Sequence, residues 1–404
     1  MRLNRFPARL FVTAVYLLFP AVLPLAGAST ETLKKITMMV ENGSIMLNDE
    51  NGAVLVAVNP DTRYIPASII KILTATIALD LLGPDFRFKT ECYTNCKSCL
   101  VVKGFGDPYL ISDELRNLAR GLRGKGLVRI DRISLDHTFF SDDLTIPGIS
   151  KTSNPYDALN GALVVNFNTV NVGKDASGTV FSAEEETPLT PLAIEKAASL
   201  PRGTKQRINL SSQRADCNRY AGELLLTIFR EQGVVVTGNT ISEATADSSR
   251  SPFYTHYNSR PLQEVLRGLL KYSNNFIANQ IFLAIGAQQE GAPATMLKSK
   301  AVFEKYIRTK LHIPETELVM AEGSGISRDD RVTGNAMISI MERFRPHAAL
   351  LTPKNGHPLK SGTLNGVNNY AGYIKTEKGL RPFVIMLNQE HGNRDTILKL
   401  LEGY

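Results

Sequence analysis

The chain has no low-complexity tract, no long run of like charge and no fixed-period repeat. Those absences exclude a disordered tail, a coiled array and a solenoid. Basic residues do not interleave with aromatic ones, and no cysteine–histidine set has zinc-finger spacing, so nucleic acid is not an expected partner. The six histidines show no ligand spacing, and His137 and His256 are expected to be structural. Cysteine is scarce: Cys92, Cys96, Cys99 and Cys217. The Cys-x3-Cys-x2-Cys cluster has no fourth ligand nearby, so neither a metal nor a cofactor is expected. Apolar runs long enough to span a bilayer are also missing beyond the first 28 residues.

Those first residues read as a processing signal. Arg2, Arg5 and Arg9 precede an apolar stretch, Leu10 to Leu25, broken by Pro20 and Pro24, and Ala26-Gly27-Ala28 fits a small-x-small cleavage site. A mature chain beginning near Ser29, exported to the periplasm, is expected. The signal carries three arginines and no acid, so its removal takes the formal charge from +7 to +4. That modest excess leaves at most a loose membrane association. In an oxidising compartment one disulfide is expected. Cys92 and Cys99 flank a predicted hairpin tip and are placed to pair across it; the partners of Cys96 and Cys217 are not legible.

The 404 residues are 43% hydrophobic, enough for a large core in two or three domains. Within them one stretch organises the rest. Pro66-Ala67-Ser68-Ile69-Ile70-Lys71 opens an apolar run that ends at Gly83-Pro84, which predicts a helix buried on most sides. Ser68 lies at its start, where backbone N–H groups are unpaired. Lys71 follows three residues on, so both side chains share a face. A serine hydroxyl needs a base to become nucleophilic, and burial lowers a lysine's pKa into the range of one. Tyr272-Ser273-Asn274-Asn275 lies between two helical patterns, and Lys360-Ser361-Gly362-Thr363 lies in a strand-like stretch. Alone, the first reads as a turn and the second as a solvated strand end. Ser-x-x-Lys, Ser-x-Asn and Lys-Ser-Gly each occur once, in that order, which is the three-motif signature of penicillin-binding proteins and serine β-lactamases.

Strands are predicted at Ser44–Asn48 and Ala53–Val58, around the turn Asp49-Glu50-Asn51-Gly52. Three more are predicted at Leu359–Leu364, Tyr370–Ile374 and Phe383–Asn388, with a last helix at Asp395–Leu401. Together these make a five-stranded antiparallel sheet flanked by helices, an α/β (α+β) fold built from residues 29–86 and 256–404. Residues 87–255 then form an inserted mixed α/β domain, with about 152–205 as a small subdomain. Inside it a helix is expected from Ser112 to Lys125, capped by Ser112, with a second from Ala221 to Gln232.

The motif order, with about two hundred positions between Lys71 and Ser273, resembles the class C low-molecular-weight penicillin-binding proteins, the D-alanyl-D-alanine carboxypeptidase/endopeptidases of the peptidase S13 type. Gly104-x-Gly106-Asp107-Pro108, Gly323-Ser324-Gly325-Ile326-Ser327-Arg328 and Tyr370-Ala371-Gly372-Tyr373 look like the same family. Three positions depart from its usual pattern: Glu322 stands where Asp is common, Asn274 where Asp is common, and Ser361 where Thr is commoner. The resemblance implies a transpeptidase-like catalytic domain and a set of roles. Ser68 attacks the carbonyl of the penultimate D-alanine, Lys71 takes its proton, and Ser273 relays a proton to the leaving amine with help from Lys360. Asn275 holds Lys71 or the substrate amide. The N–H groups of Ser68 and Thr363 form an oxyanion hole, Gly362 lets the strand edge approach, Lys360 and Thr363 suit the terminal carboxylate, and Ser361 is a further substrate-binding residue. Positions like Arg328, Asn365 and an aspartate near Asp157 line a pocket for the charged end of the peptide's third residue. The implied partners are peptidoglycan stem peptides and β-lactam antibiotics. A serine β-lactamase or esterase, and a non-catalytic wall-binding protein of the same fold, are the competing readings. The first is disfavoured by the long insertion and by the lack of a Glu-x-x-x-Asn element near Ser273, the second by the intact motif residues.

Overall fold

The computed structural model describes residues 28–96 and 98–404, so all but the last residue of the expected export signal lies outside the described residues. Side chains along the strand Gly43–Asn48 alternate between two cores. Ile45 and Leu47 join one cluster, and Met46 joins the other. The same period of two runs through Val367–Thr376, where Ala371 and Tyr373 face one core and Tyr370 and Ile374 the other. A sheet covered on both faces follows.

That sheet has six strands in the order Thr352–Lys354, His357–Leu364, Val367–Thr376, Gly379–Leu387, Gly43–Asn48 and Val54–Val58, all antiparallel. Five were expected. The extra one is a three-residue edge strand too short to show alternation, and its Pro353 is tolerable only at an edge. The two ends of the chain meet where Gly43 pairs with Leu387. One face carries the helices Lys71–Leu82, Leu262–Tyr272, Asn275–Glu290, Met296–Lys310 and Gly334–Phe344, whose buried side chains make the largest cluster. The other face carries Ala28–Met38 and Arg394–Leu401.

Residues 89–257 build a second sheet of five strands. Its order is Ile241–Glu243, Arg132–Asp136, Cys99–Gly104, Lys89–Cys96 and Tyr254–Tyr257. The helices Ser112–Gly124 and Arg214–Glu231 pack on it around a separate core. Within 152–209 lies a small three-stranded sheet of Val180–Ser182, Thr169–Lys174 and Thr204–Asn209. Two local expectations are corrected here. Ser112 is the first helical residue rather than the cap, and its own N–H donates to the Asn166 side chain at 2.9 Å. The disulfide joins Cys96 to Cys99, not Cys92 to Cys99. In the ladder Cys99 lies opposite Cys96 and Cys92 lies opposite Val102, so Cys92 points into the second core, where it and Cys217 are buried thiols. No helix among the described residues is long and apolar enough to cross a membrane.

Candidate active site

The turn that presents Ser68 is held from beneath by two asparagines. Asn369 donates its side-chain amide to the carbonyls of Ile65 (2.9 Å) and Pro66 (2.8 Å). Asn388 accepts from the Ile65 N–H at 2.7 Å. Ala67, fully buried, is forced to a left-handed φ of 48°. A non-glycine residue in that region needs its surroundings to hold it, and the two asparagines supply part of that hold. Residues Ala67–Ile70 then make one 3-10 turn, and the α-helix proper begins at Lys71.

Lys71 has no exposed surface. Its Nζ lies 2.9 Å from Ser68 Oγ, 2.7 Å from Asn275 Oδ1 and 2.6 Å from the Ser324 carbonyl oxygen. An ammonium satisfies all three with its three protons. A neutral amine satisfies the two carbonyl-type acceptors and turns its lone pair to the hydroxyl, which then donates. Burial brings its pKa down to about 7, the nearby Lys360 charge adds to the fall, and Glu322 and Asp330 oppose it.

Ser273 and its two neighbours explain themselves locally. Ser273 ends the helix Leu262–Tyr272 at a left-handed φ of 54°. Asn274 caps the next helix by accepting from the Ile277 N–H at 3.1 Å. Asn275 is then the first helical residue, and its side chain reaches Lys71. From the facing strand, Lys360 donates to Ser273 Oγ at 2.9 Å and to its neighbour's carbonyl, Ser361 O, at 2.7 Å. Burial, then the charge of Arg394, lowers the pKa of Lys360 to about 8.

The strand edge lies directly on the nucleophile's backbone. A Cβ at Gly362 would sit 2.8 Å from Pro66 O and 3.0 Å from Ser68 N, so no larger residue fits without movement. Thr363 and Ser361 are exposed beside it, and Thr363 Oγ1 accepts from Arg394 at 3.0 Å. Ser68, Ser273, Asn275, Ser361, Thr363 and Asp157 line one cleft of about 560 Å³. Lys71 and Lys360 reach it from behind through the two serines. Asp157 is buried in its wall, its carboxylate accepting from the Ser150 N–H (2.9 Å) and the Thr152 hydroxyl. Arg328 and Asn365 do not line this cleft. They border a neighbouring hollow with Arg63 and Arg331, where Arg328 donates to the Asn365 carbonyl at 2.6 Å. Asn365-Gly366 is the two-residue turn between paired Leu364 and Val367.

Several supporting residues are not named by the motifs: Asn369, Asn388, Arg394 and the buried carboxyl Asp330; Glu322 stands out only as a departure from the family pattern. Asn369 carried a usable signal, an amide at an inward position of an apolar strand. Arg394 carried none, because it reaches the strand only through the tertiary fold.

A buried lysine on a serine, a second lysine on a second serine and a bare strand edge beside them define a class, the penicillin-binding proteins. More narrowly, the chain belongs to the D-Ala-D-Ala carboxypeptidase 3 (S13) family, whose model matches residues 30–198 and 191–358. It is 25% identical to a D-alanyl-D-alanine carboxypeptidase of Actinomadura sp. (strain R39), over 92% of this chain and 84% of that one. It is also 25% identical to D-alanyl-D-alanine carboxypeptidase DacB of Haemophilus influenzae, over 86% and 85%. The fold matches the crystal structure of penicillin binding protein 4 from Haemophilus influenzae with a TM-score of 0.72 at 19% identity, covering 92% of this chain and 97% of that one.

Proposed function

We propose that this protein is an exported, periplasmic serine DD-peptidase. It removes the terminal D-alanine of peptidoglycan stem peptides through an acyl-enzyme on Ser68, and β-lactams acylate the same serine. The observation that carries this is the triple environment of Lys71 Nζ, two carbonyl-type acceptors and one serine hydroxyl. It suits a group that must alternate between amine and ammonium without losing its partners. In acylation the lone pair of Lys71 takes the Ser68 proton while Oγ bonds to the carbonyl carbon. The oxyanion that forms accepts from the N–H groups of Ser68 and Thr363. Ser273, backed by Lys360, passes a proton to the departing D-alanine nitrogen as the C–N bond breaks. The proton held by Lys71 then replaces the one Ser273 gave up, which leaves Lys71 a neutral amine and Ser273 a hydroxyl. Water attacks the ester carbonyl as Lys71 takes a proton from it, and Lys71 returns that proton to Ser68 Oγ as the ester C–O bond breaks. One solved relative, the Haemophilus influenzae protein, has been crystallised with a β-lactam, and another, Bd3459 of Bdellovibrio bacteriovorus, is a peptidoglycan endopeptidase of the same fold at a TM-score of 0.51. D-Ala-diaminopimelate cross-links are therefore proposed as second substrates.

The test is a burst experiment with a chromogenic β-lactam. Stoichiometric labelling that reverses slowly is expected, with Ser68→Ala giving none. Sustained turnover would mean a β-lactamase. No labelling of a folded parent would mean a non-catalytic protein. An adduct on Ser68→Ala would move the nucleophile elsewhere.

A further inference from the structure

Behind Lys71 lie two carboxyl groups that the mechanism above does not use. Glu322 and Asp330 both have no exposed surface. Glu322 Oε2 accepts from the Ser324 N–H and from Asn279 Nδ2, each at 2.7 Å, and its Oε1 accepts from the Ser327 N–H at 3.3 Å. Asp330 Oδ1 accepts from the Ala321 N–H at 2.7 Å. Its other oxygen, Oδ2, is buried without a hydrogen-bond partner. The Glu322 side chain acts on the Asp330 carboxyl and favours a proton there, while the Glu322 backbone N–H favours the anion. Two carboxylate oxygens have no proton to share between them and repel. One proton turns the same approach into a hydrogen bond. Three N–H groups point at the Glu322 carboxyl.

We propose that Glu322 and Asp330 hold one proton between them, and that this singly charged pair positions Lys71 and sets its charge state. The proposal rests on the reading that Lys71 is the base. Its geometric half runs through the Gly323–Gly325 turn. Glu322 holds the Ser324 N–H, and the carbonyl of that same residue accepts from Lys71 Nζ at 2.6 Å. Asn279 ties the Gly323 N–H at 2.7 Å, and Thr74 donates to the Gly323 carbonyl at 2.6 Å. A Cβ at Gly325 would lie 2.0 Å from the Ala67 carbonyl, so the turn has no freedom to slide over the nucleophile. Its electrostatic half follows from the charges around Lys71. Lys360, from the strand His357–Leu364, opposes a proton on Lys71; Glu322 and Asp330, from the 321–330 loop, favour one. Burial and the Glu322 charge keep Asp330 protonated well above its ordinary range. The pair therefore presents one negative charge rather than two. With two, Lys71 would stay an ammonium and a poor base. With none, the ammonium formed during acylation would face Lys360 unrelieved.

Two measurements decide it. Infrared spectra of the folded protein at pH 8 should show a protonated-carboxyl C=O band that Asp330→Asn removes; this readout needs no activity. Asp107, the other carboxyl raised by burial, to about 6, is ionised at that pH. If the parent shows no such band, the shared proton does not exist. The second measurement is the pH midpoint of β-lactam acylation. Asp330→Asn keeps the parent midpoint, because its amide donates where the protonated carboxyl donated. Glu322→Gln also keeps it, because its amide donates to Asp330 and the charge moves there. The double variant loses the charge, and its midpoint falls by about one pH unit. A fall in either single variant overturns the single-charge pair. An unchanged midpoint in the double variant reduces both residues to a structural clamp and overturns the electrostatic half. If the double variant does not fold, the two single variants and the infrared band still decide. A parent that is never acylated would instead refute the reading of Lys71 as base, and the infrared result would stand by itself.

Discussion

Lys71 sets the pH behaviour of the site. A base must be unprotonated, and its pKa is brought down to about 7. Acylation should therefore level off above pH 7 and fall about tenfold per unit below it, as the amine fills. Lys71→Ala should lose about 10²–10⁴ of the acylation rate with the β-lactam site still formed. Stopped-flow acylation across pH checks both, and a variant within tenfold of the parent would move the base role to Lys360. Arg328 is a different case. Its guanidinium is spent in part on the Asn365 carbonyl, outside the Ser68 cleft. Any part it plays in binding the third residue of a peptide must come through its remaining donors. Arg328→Ala should then leave β-lactam acylation unchanged and narrow the gap in kcat/KM between a peptide with a zwitterionic third side chain and one with acetyl-lysine, by about tenfold. If the parent cleaves both equally, Arg328 is a loop residue only. Three short motifs made Ser68, Lys71, Ser273, Asn275 and Lys360 legible in the sequence. Glu322 and Asp330 were not legible as a pair, because seven residues of loop lie between them and only the folded turn brings them together.

At the level of elements, the strand His357–Leu364 matters for what one position lacks. Gly362→Ala would put a Cβ against Pro66 O and Ser68 N, and the neighbours are backbone, which cannot rotate away. Strand and Ser68 turn must separate, and the Thr363 N–H moves with the strand. The expected loss is that of one oxyanion donor, about 10²–10³ in acylation rate, with an unfolding midpoint close to the parent's. Equal losses of stability and activity would show that the glycine serves packing instead. The long strands of this sheet were legible as apolar runs bounded by turn signals, because both faces are buried. The edge strand Thr352–Lys354 was not, yet its turn was written out. Asn355-Gly356, at φ 51° and 83°, joins paired Lys354 and His357 as a two-residue hairpin loop. The disulfide was misjudged for a related reason. Its geometry depends on ladder register at the hairpin tip, and register is not encoded in the spacing of the cysteines.

At the scale of the whole molecule, the inserted region is tied by a buried polar knot to the segment through which the chain returns from it. Asp107 follows the strand Cys99–Gly104, and Asn258 follows the returning strand Tyr254–Tyr257. Asn258 Nδ2 donates to both Asp107 oxygens, at 3.1 and 2.8 Å, and the Tyr109 N–H donates to Oδ1 at 2.8 Å. Beside them Glu114 accepts from the Ser259 N–H at 3.0 Å and lies 3.0 Å from His256. Burial outweighs these donors for Asp107 and pushes its pKa from 3.8 to about 6, with the Glu114 charge adding to the rise. For an acid raised on folding, the unfolded chain gives up its proton first. Stability is therefore lost as pH climbs from 3.8 to about 6, by at most about 3 kcal/mol, and stays lost above that. Asp107→Asn carries no such charge. Its own amide protons would meet the Asn258 amide, so at pH 4.5 the variant should be less stable than the parent by about 1–2 kcal/mol. By pH 8 the parent's loss closes that gap or reverses it. Contributions from carboxylates outside this knot are common to both proteins and cancel in the difference. Urea unfolding at the two pH values measures it. Parallel changes in parent and variant would mean that Asp107 is ionised throughout, held by its donors, and that the junction does not depend on pH through this residue.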